Sequence, residues 1–147
     1  MNDNDEFGAL FEAFVNRVSH SRGRVLNLMA EASVTVPQAI LMNFALAAPG
    51  STPSSLASTM AISLPSVSQM IERLARLGFL RRIEDLQDRR RRMIEVTPRA
   101  KTFLERLKVV RSAEFAAAAA DLSDATRRSL SDALSQALKE LAAARTN

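Results

Sequence analysis

The 147-residue sequence contains no cysteine, no tryptophan and no tyrosine. The missing cysteines exclude disulfides, thiolate metal sites and thiol redox sensing. The single histidine, His20, has neither a second histidine nor an acidic cluster beside it, so it reads as a surface or interface residue. There is no His-Glu-x-x-His, no glycine-rich phosphate loop, and no nucleophile with a neighbouring base. The acids Glu84 and Asp85 fall in an expected loop, where solvent works against pKa tuning. These absences argue against an enzyme and imply neither a metal nor a cofactor. No apolar run is long enough to span a bilayer. The opening Met1-Asn2-Asp3-Asn4-Asp5-Glu6 is acidic where a secretion signal is basic. The expectation is a soluble, cytoplasmic protein with no membrane partner and the length of a single domain, large enough to bury a core.

Charge of one sign is scarce except in one region. Residues 71–111 hold 13 Lys and Arg against 6 Asp and Glu, while the rest of the chain holds 7 against 10. The basic excess therefore lies on one short stretch and the forty or so residues C-terminal to its start. Such an asymmetry is the electrostatic footprint of a nucleic-acid-binding surface. By itself it also describes an ordinary solvated face.

The stretch at its start reads as a helix with sharp ends. Ser63 suits the N-cap, Pro65 is tolerated in the first turn, and Gly78 suits a left-handed C-terminal cap. Val67, Met70, Ile71, Leu74 and Leu77 recur at helical spacing on one face. Ser66, Ser68, Gln69, Arg73 and Arg76 occupy the other, which is short, polar and basic, as the floor of a DNA major groove requires. Phe79–Ile83 then reads as a strand, Glu84–Arg90 as a loop and Arg91–Val96 as a returning strand. A helix followed by a basic hairpin is the winged form of helix-turn-helix. Four successive arginines, Arg89 to Arg92, repel one another unless an anionic partner is present. Alternation along a strand sends Arg90 and Arg92 one way and Arg89 and Arg91 the other.

The remaining elements frame this core. Asn4 can cap a first helix whose apolar stripe runs through Phe7, Leu10, Phe11, Phe14, Val18, Val25 and Met29, with Gly23 as a mild interruption. That stripe fits either a dimer interface or ordinary core. Thr35-Val36-Pro37-Gln38 is a capping box opening a nearly all-apolar, central helix. Thr52 and Pro53 open a short helix, and Ala61-Ile62-Ser63 is the turn into the next. Thr97-Pro98 opens a long helix that runs into Ala116–Ala120. Ser123 and Asp124 mark a break, and Leu130, Leu134, Leu138 and Leu141 form a final stripe. Neither closing helix has an obvious partner within a small winged domain.

Taken in order, these parts resemble the MarR family (multiple antibiotic resistance regulators) over nearly the whole chain. The resemblance rests on Thr35-x-x-Gln38, Leu56-Ala57, Ser63, Val67-Ser68, Arg73-Leu74-x-x-x-Gly78-Phe79-Leu80, and Asp88-Arg89-Arg90 ahead of Val96-Thr97-Pro98. Gln69 departs from it, standing where many members have a basic residue, and Ala100 stands where glycine is common. The resemblance implies a mainly α fold with a small β-hairpin wing. A winged helix-turn-helix lobe would span 32–97, and helical dimerisation segments 4–30 and 98–145, within one domain of 1–147. It implies that Asp88 holds the wing through an ion pair with Arg73, and that Arg90 reaches the minor groove or its phosphates.

The expected function is a dimeric, sequence-specific transcription regulator, a repressor released from a palindromic double-stranded operator by a small molecule. The expected DNA-binding residues are Ser54, Ser63, Pro65, Ser66, Ser68, Gln69, Arg73, Arg76, Arg89, Arg90 and Arg91. A ligand pocket lined by Phe11, Phe14, Arg17, Val18, Met42 and Phe44 would suit an aromatic or carboxylate-bearing molecule, although the same apolar residues also fit plain core packing. The competing reading is an architectural DNA-binding or protein-interaction module without an effector. A palindromic site distinguishes the two.

Overall fold

A computed structural model describes residues 2–19, 23–84 and 92–144. Its elements in order are α1 (Asp3–Ser19), α2 (Gly23–Glu31), α3 (Val36–Ala47), α4 (Pro53–Met60), α5 (Leu64–Arg76), β1 (Leu80–Glu84), β2 (Arg92–Val96), α6 (Pro98–Ala118) and α7 (Asp124–Ala144). The chain divides into two compact units. One, the lobe, is residues 22–111; the other, the terminal unit, combines 1–21 with 112–147. The lobe extends beyond the expected 32–97 at both ends. Val25, Leu28 and Met29 of α2 and Ala100, Phe103, Leu104 and Leu107 of α6 are buried in its core. The long first helix read from the sequence is two helices, α1 and α2. Asn4 lies inside α1 rather than capping it; the carbonyl of Asn2 accepts from the amides of Asp5 and Glu6 at 2.8 and 3.1 Å. Among the described residues, no single helix is long and apolar enough to cross a membrane.

The lobe is built around α3 and α5, whose Leu41, Met42, Val67, Ile71 and Leu74 are completely enclosed. Burying a side chain of this size contributes roughly 1.5–3 kcal/mol each. Local signals set the helix ends. The Thr35 amide donates to Gln38 Oε1 at 2.9 Å at the start of α3. Thr52 Oγ1 accepts from the Ser55 amide at 3.2 Å at the start of α4, and Ser63 Oγ from the Ser66 amide at 3.3 Å at the start of α5.

Helices α2, α4 and α5 stop in the same way, with a left-handed residue and two reversed hydrogen bonds. At the end of α5, Gly78 (φ +77°) donates to the Ala75 carbonyl and Phe79 to that of Leu74, at 3.0 and 2.9 Å. The equivalent residues at the ends of α2 and α4 are Ser33 (φ +55°) and Ala61 (φ +54°), which carry a Cβ into a region that disfavours it.

The wing is an antiparallel pair, β1 to β2, running from Leu80 opposite Val96 to Glu84 opposite Arg92. Two contacts fasten its base. The Ile94 amide donates to the Ser51 carbonyl at 2.8 Å, joining β2 to the turn before α4. Buried Thr97 sends its amide to the Phe79 carbonyl at 3.1 Å and its hydroxyl to the Gly78 carbonyl at 2.7 Å, and that hydroxyl accepts from the Ala100 amide at 3.2 Å. One side chain thus meets the end of α5, the entry to β1 and the start of α6. Phe79 packs below it against Phe103, ring centroids 5.3 Å apart, with the Arg99 guanidinium 4.9 Å above its ring.

The terminal unit is differently constituted. Its α1 buries only Val18, and α7 buries nothing. Phe7 and Phe11 stack at 5.8 Å yet stay largely exposed, as do Leu10, Leu138 and Leu141.

Candidate nucleic-acid interface

Helix α5 turns about 100° per residue, which separates its residues cleanly. Val67, Ile71 and Leu74 face inward, and Pro65, Ser66, Gln69, Glu72, Arg73 and Arg76 are exposed. Gln69 and Arg76 stand near the middle of the outward face. Arg73 takes one flank and Glu72 the other. Ser68 falls off this face: it is half-buried beside Ala75, about 100° from Val67, so it is poorly placed to meet a groove floor.

The outward side chains are already engaged with one another and with the backbone. The Ser63 and Ser66 hydroxyls lie 2.8 Å apart, which commits both to the cap. Arg73 Nη2 reaches the Ser33 carbonyl at 3.4 Å, satisfying the left-handed residue that ends α2. Arg76 Nη1 donates to Glu72 Oε1 at 2.8 Å, four residues back along the helix. Glu72 was absent from the expected set, although its spacing from Arg76 is that of a helical ion pair and was visible in the sequence. Between α3 and α5, Gln38, Ser66, Gln69, Met70 and Arg73 line an open depression of about 310 Å³. Ser54 is exposed on α4, where its carbonyl accepts from the Ser58 hydroxyl at 3.1 Å.

On the wing, Arg81, Arg82 and Arg92 are exposed. Arg81 pairs with Glu95 directly across the hairpin, a contact the sequence reading did not anticipate. The expected contacts Arg89, Arg90 and Arg91, and the wing-holding Asp88, lie outside the described residues, as does His20.

The expected ligand residues separate into two groups. Phe11, Phe14 and Val18 do come together, in an apolar cavity of about 440 Å³ within the terminal unit. The sequence reading missed the other half of its wall: Phe115, Ala119, Leu122, Leu130 and Leu134 from α6, α7 and the turn between them. Arg17 does not line it; the arginine at its edge is Arg127, which also pairs with Asp124. Met42 belongs to the lobe, where its fully enclosed side chain offers no surface to a ligand. Phe44 sits on the same helix, partly exposed. Apolar spacing alone could not distinguish these, because α3 is apolar on nearly every side.

Comparison with known proteins bears on both units. Residues 32–91 match the model of the MarR family. The structure is similar to that of S. aureus MepR in complex with DNA, at 21% identity and a TM-score of 0.70, covering 86% of this chain and 96% of that one. It is similar to YusO from Bacillus subtilis, at 16% identity and a TM-score of 0.72, covering 95% and 99%. A MarR family protein from Bacillus stearothermophilus gives 16% identity and a TM-score of 0.72, covering 97% and 99%. No curated protein sequence matches the chain. The family match covers the helix-turn-helix and β1 and stops short of β2, while the winged helix-turn-helix fold is shared with these structures along almost the full length of the chain.

Proposed function

We propose that the protein is a DNA-binding transcription regulator that acts as a homodimer on a palindromic operator, and that it is a repressor released by a small apolar or aromatic ligand. The observation that carries the DNA-binding reading is the outward face of α5. It is capped, rigidly seated on three enclosed residues, and offers Gln69, Arg73 and Arg76 to the outside. That is the arrangement in which a recognition helix enters a major groove. The MepR structure similar to this one holds DNA. The exposed arginines of the hairpin, Arg81, Arg82 and Arg92, suit phosphates beside that groove.

The dimer is supported by the terminal unit, whose Phe7, Leu10, Leu138 and Leu141 are each more than 60% exposed. A second copy would cover them. The cavity among Phe11, Phe14, Val18, Phe115, Leu130 and Leu134 supports an apolar ligand. Release requires that the ligand favour the form of the dimer that does not bind DNA.

Selection from a random double-stranded DNA pool tests this reading. An enriched inverted repeat, with half-sites about one helical turn apart, is the expected result. Binding without enrichment, lost as salt rises, would overturn it in favour of non-specific DNA binding.

A further inference from the structure

The outward face of α5 contains an acid where a phosphate-seeking surface would be better without one. The Glu72 and Arg76 side chains are 63% and 65% exposed, and they meet at 2.8 Å. The pair carries no net charge, so it adds little to the non-specific attraction between helix and phosphates. Arg73, the other arginine of this face, reaches back to the Ser33 carbonyl. Each arginine of this exposed face thus also makes one contact within the protein. An acid held in such a place costs affinity for every DNA sequence unless some base pair rewards it.

One base pair does so by its hydrogen-bonding pattern. Glu72 Oε1 takes one guanidinium N–H of Arg76, leaving lone pairs on the carboxylate and further N–H groups on the fork. The pair thus offers an acceptor beside several donors. In the major groove a C·G pair offers the complement: the cytosine N4 amino donor, with the O6 and N7 acceptors of guanine next to it. A T·A pair places a donor and an acceptor side by side as well. It supplies no second acceptor adjacent to the first for a two-pronged guanidinium, and it adds a methyl group. Resting on the DNA-binding reading above, we propose that Glu72 is a base-selecting residue, accepting from cytosine N4 while it aims Arg76 at the paired guanine. The Glu72–Arg76 unit reads a C·G pair in each half-site.

The test is selection from random DNA with the full-length protein, its Glu72→Gln variant and its Arg76→Lys variant, then binding to single-position substitutions of the selected site. Both residues are exposed, so the variants fold. The wild type is expected to require C·G at one position per half-site, with a loss of about tenfold on replacement by T·A. In Glu72→Gln that loss falls below about twofold, the other positions keep their preferences, and binding to random DNA strengthens as one negative charge is removed. Arg76→Lys keeps the charge, loses the fork, and flattens the same position. If Glu72→Gln selects the same bases as the wild type at every position, the proposal is overturned and Glu72 acts as a charge alone. If the wild type enriches no site, the regulator reading fails and this proposal with it, so the two failures are distinguishable.

Discussion

The lobe and the terminal unit are made from similar residues and use them in opposite ways. The lobe encloses Leu41, Met42, Val67, Ile71 and Leu74 completely, and its surface presents Gln69, Arg73 and Arg76. The terminal unit leaves Phe7, Leu10, Leu138 and Leu141 in solvent, and α7 has no buried residue at all. In the lobe, helices and a hairpin surround a core within one chain. The helices of the terminal unit carry apolar stripes too, weaker than that of α5, and leave much of them exposed. A hydrophobic stripe is thus a requirement for a partner, and its spacing does not say whether that partner is intramolecular.

Substitutions sharpen this contrast. The largest effect is expected from Leu138→Glu with Leu141→Glu, which places two charges on the exposed apolar face. Sedimentation should show a dimer in the wild type and a monomer in the variant, and the wild-type thermal midpoint should rise with concentration while the variant's stays fixed. A variant that still sediments as a dimer would end the claim that this face waits for a second copy. In the lobe, Leu74→Ala removes an enclosed side chain and should cost about 2–5 kcal/mol in urea unfolding, at any protein concentration. Thr97→Val keeps the shape but leaves the Gly78 carbonyl and the Ala100 amide without their hydroxyl partner; a loss of roughly 1–3 kcal/mol is expected by the same measurement. The smallest change is a gain. Ala61→Gly relieves a side chain held at φ +54° and should stabilise the lobe by about 1 kcal/mol. A loss of stability there would show that the Ala61 methyl packs more than it strains.

What could be read from the sequence is what is decided locally. The Ser63 cap, the Gly78 stop and the Thr35–Gln38 box each depend on a few adjacent residues and stand where they were expected, and the two strands lie within one residue of their expected places, with Glu84 paired in β1 rather than in the loop. What could not be read depends on tertiary partners. The stripe from Phe7 to Met29 keeps helical spacing throughout, yet α1 ends at Ser19 and the α2 residues Val25, Leu28 and Met29 enter the core of the lobe. Met42 and Phe44 share apolar character with Phe11 and Phe14, and only the fold puts the first two in the lobe and the others in the terminal unit. Ser33 and Ala61 give no hint of a left-handed backbone, since glycine is the residue that announces one. The outward position of Glu72 was within reach of the helical spacing; the basic residues around it masked the acid.

The contacts of Thr97 have a consequence for how this protein can vary. Its amide meets the Phe79 carbonyl and its hydroxyl the Gly78 carbonyl, so residues 80–96 form a loop tied shut at the neck. The segment between the strands can be lengthened or shortened with little cost at the base, since closure entropy grows only logarithmically and doubling a flexible loop costs about 0.6 kcal/mol, whereas the strands are held by Leu80, Ile94 and Val96 in the core. The reach of the wing is thereby uncoupled from the seating of α5. The segment between β1 and β2 can therefore change in length while α5 keeps its place.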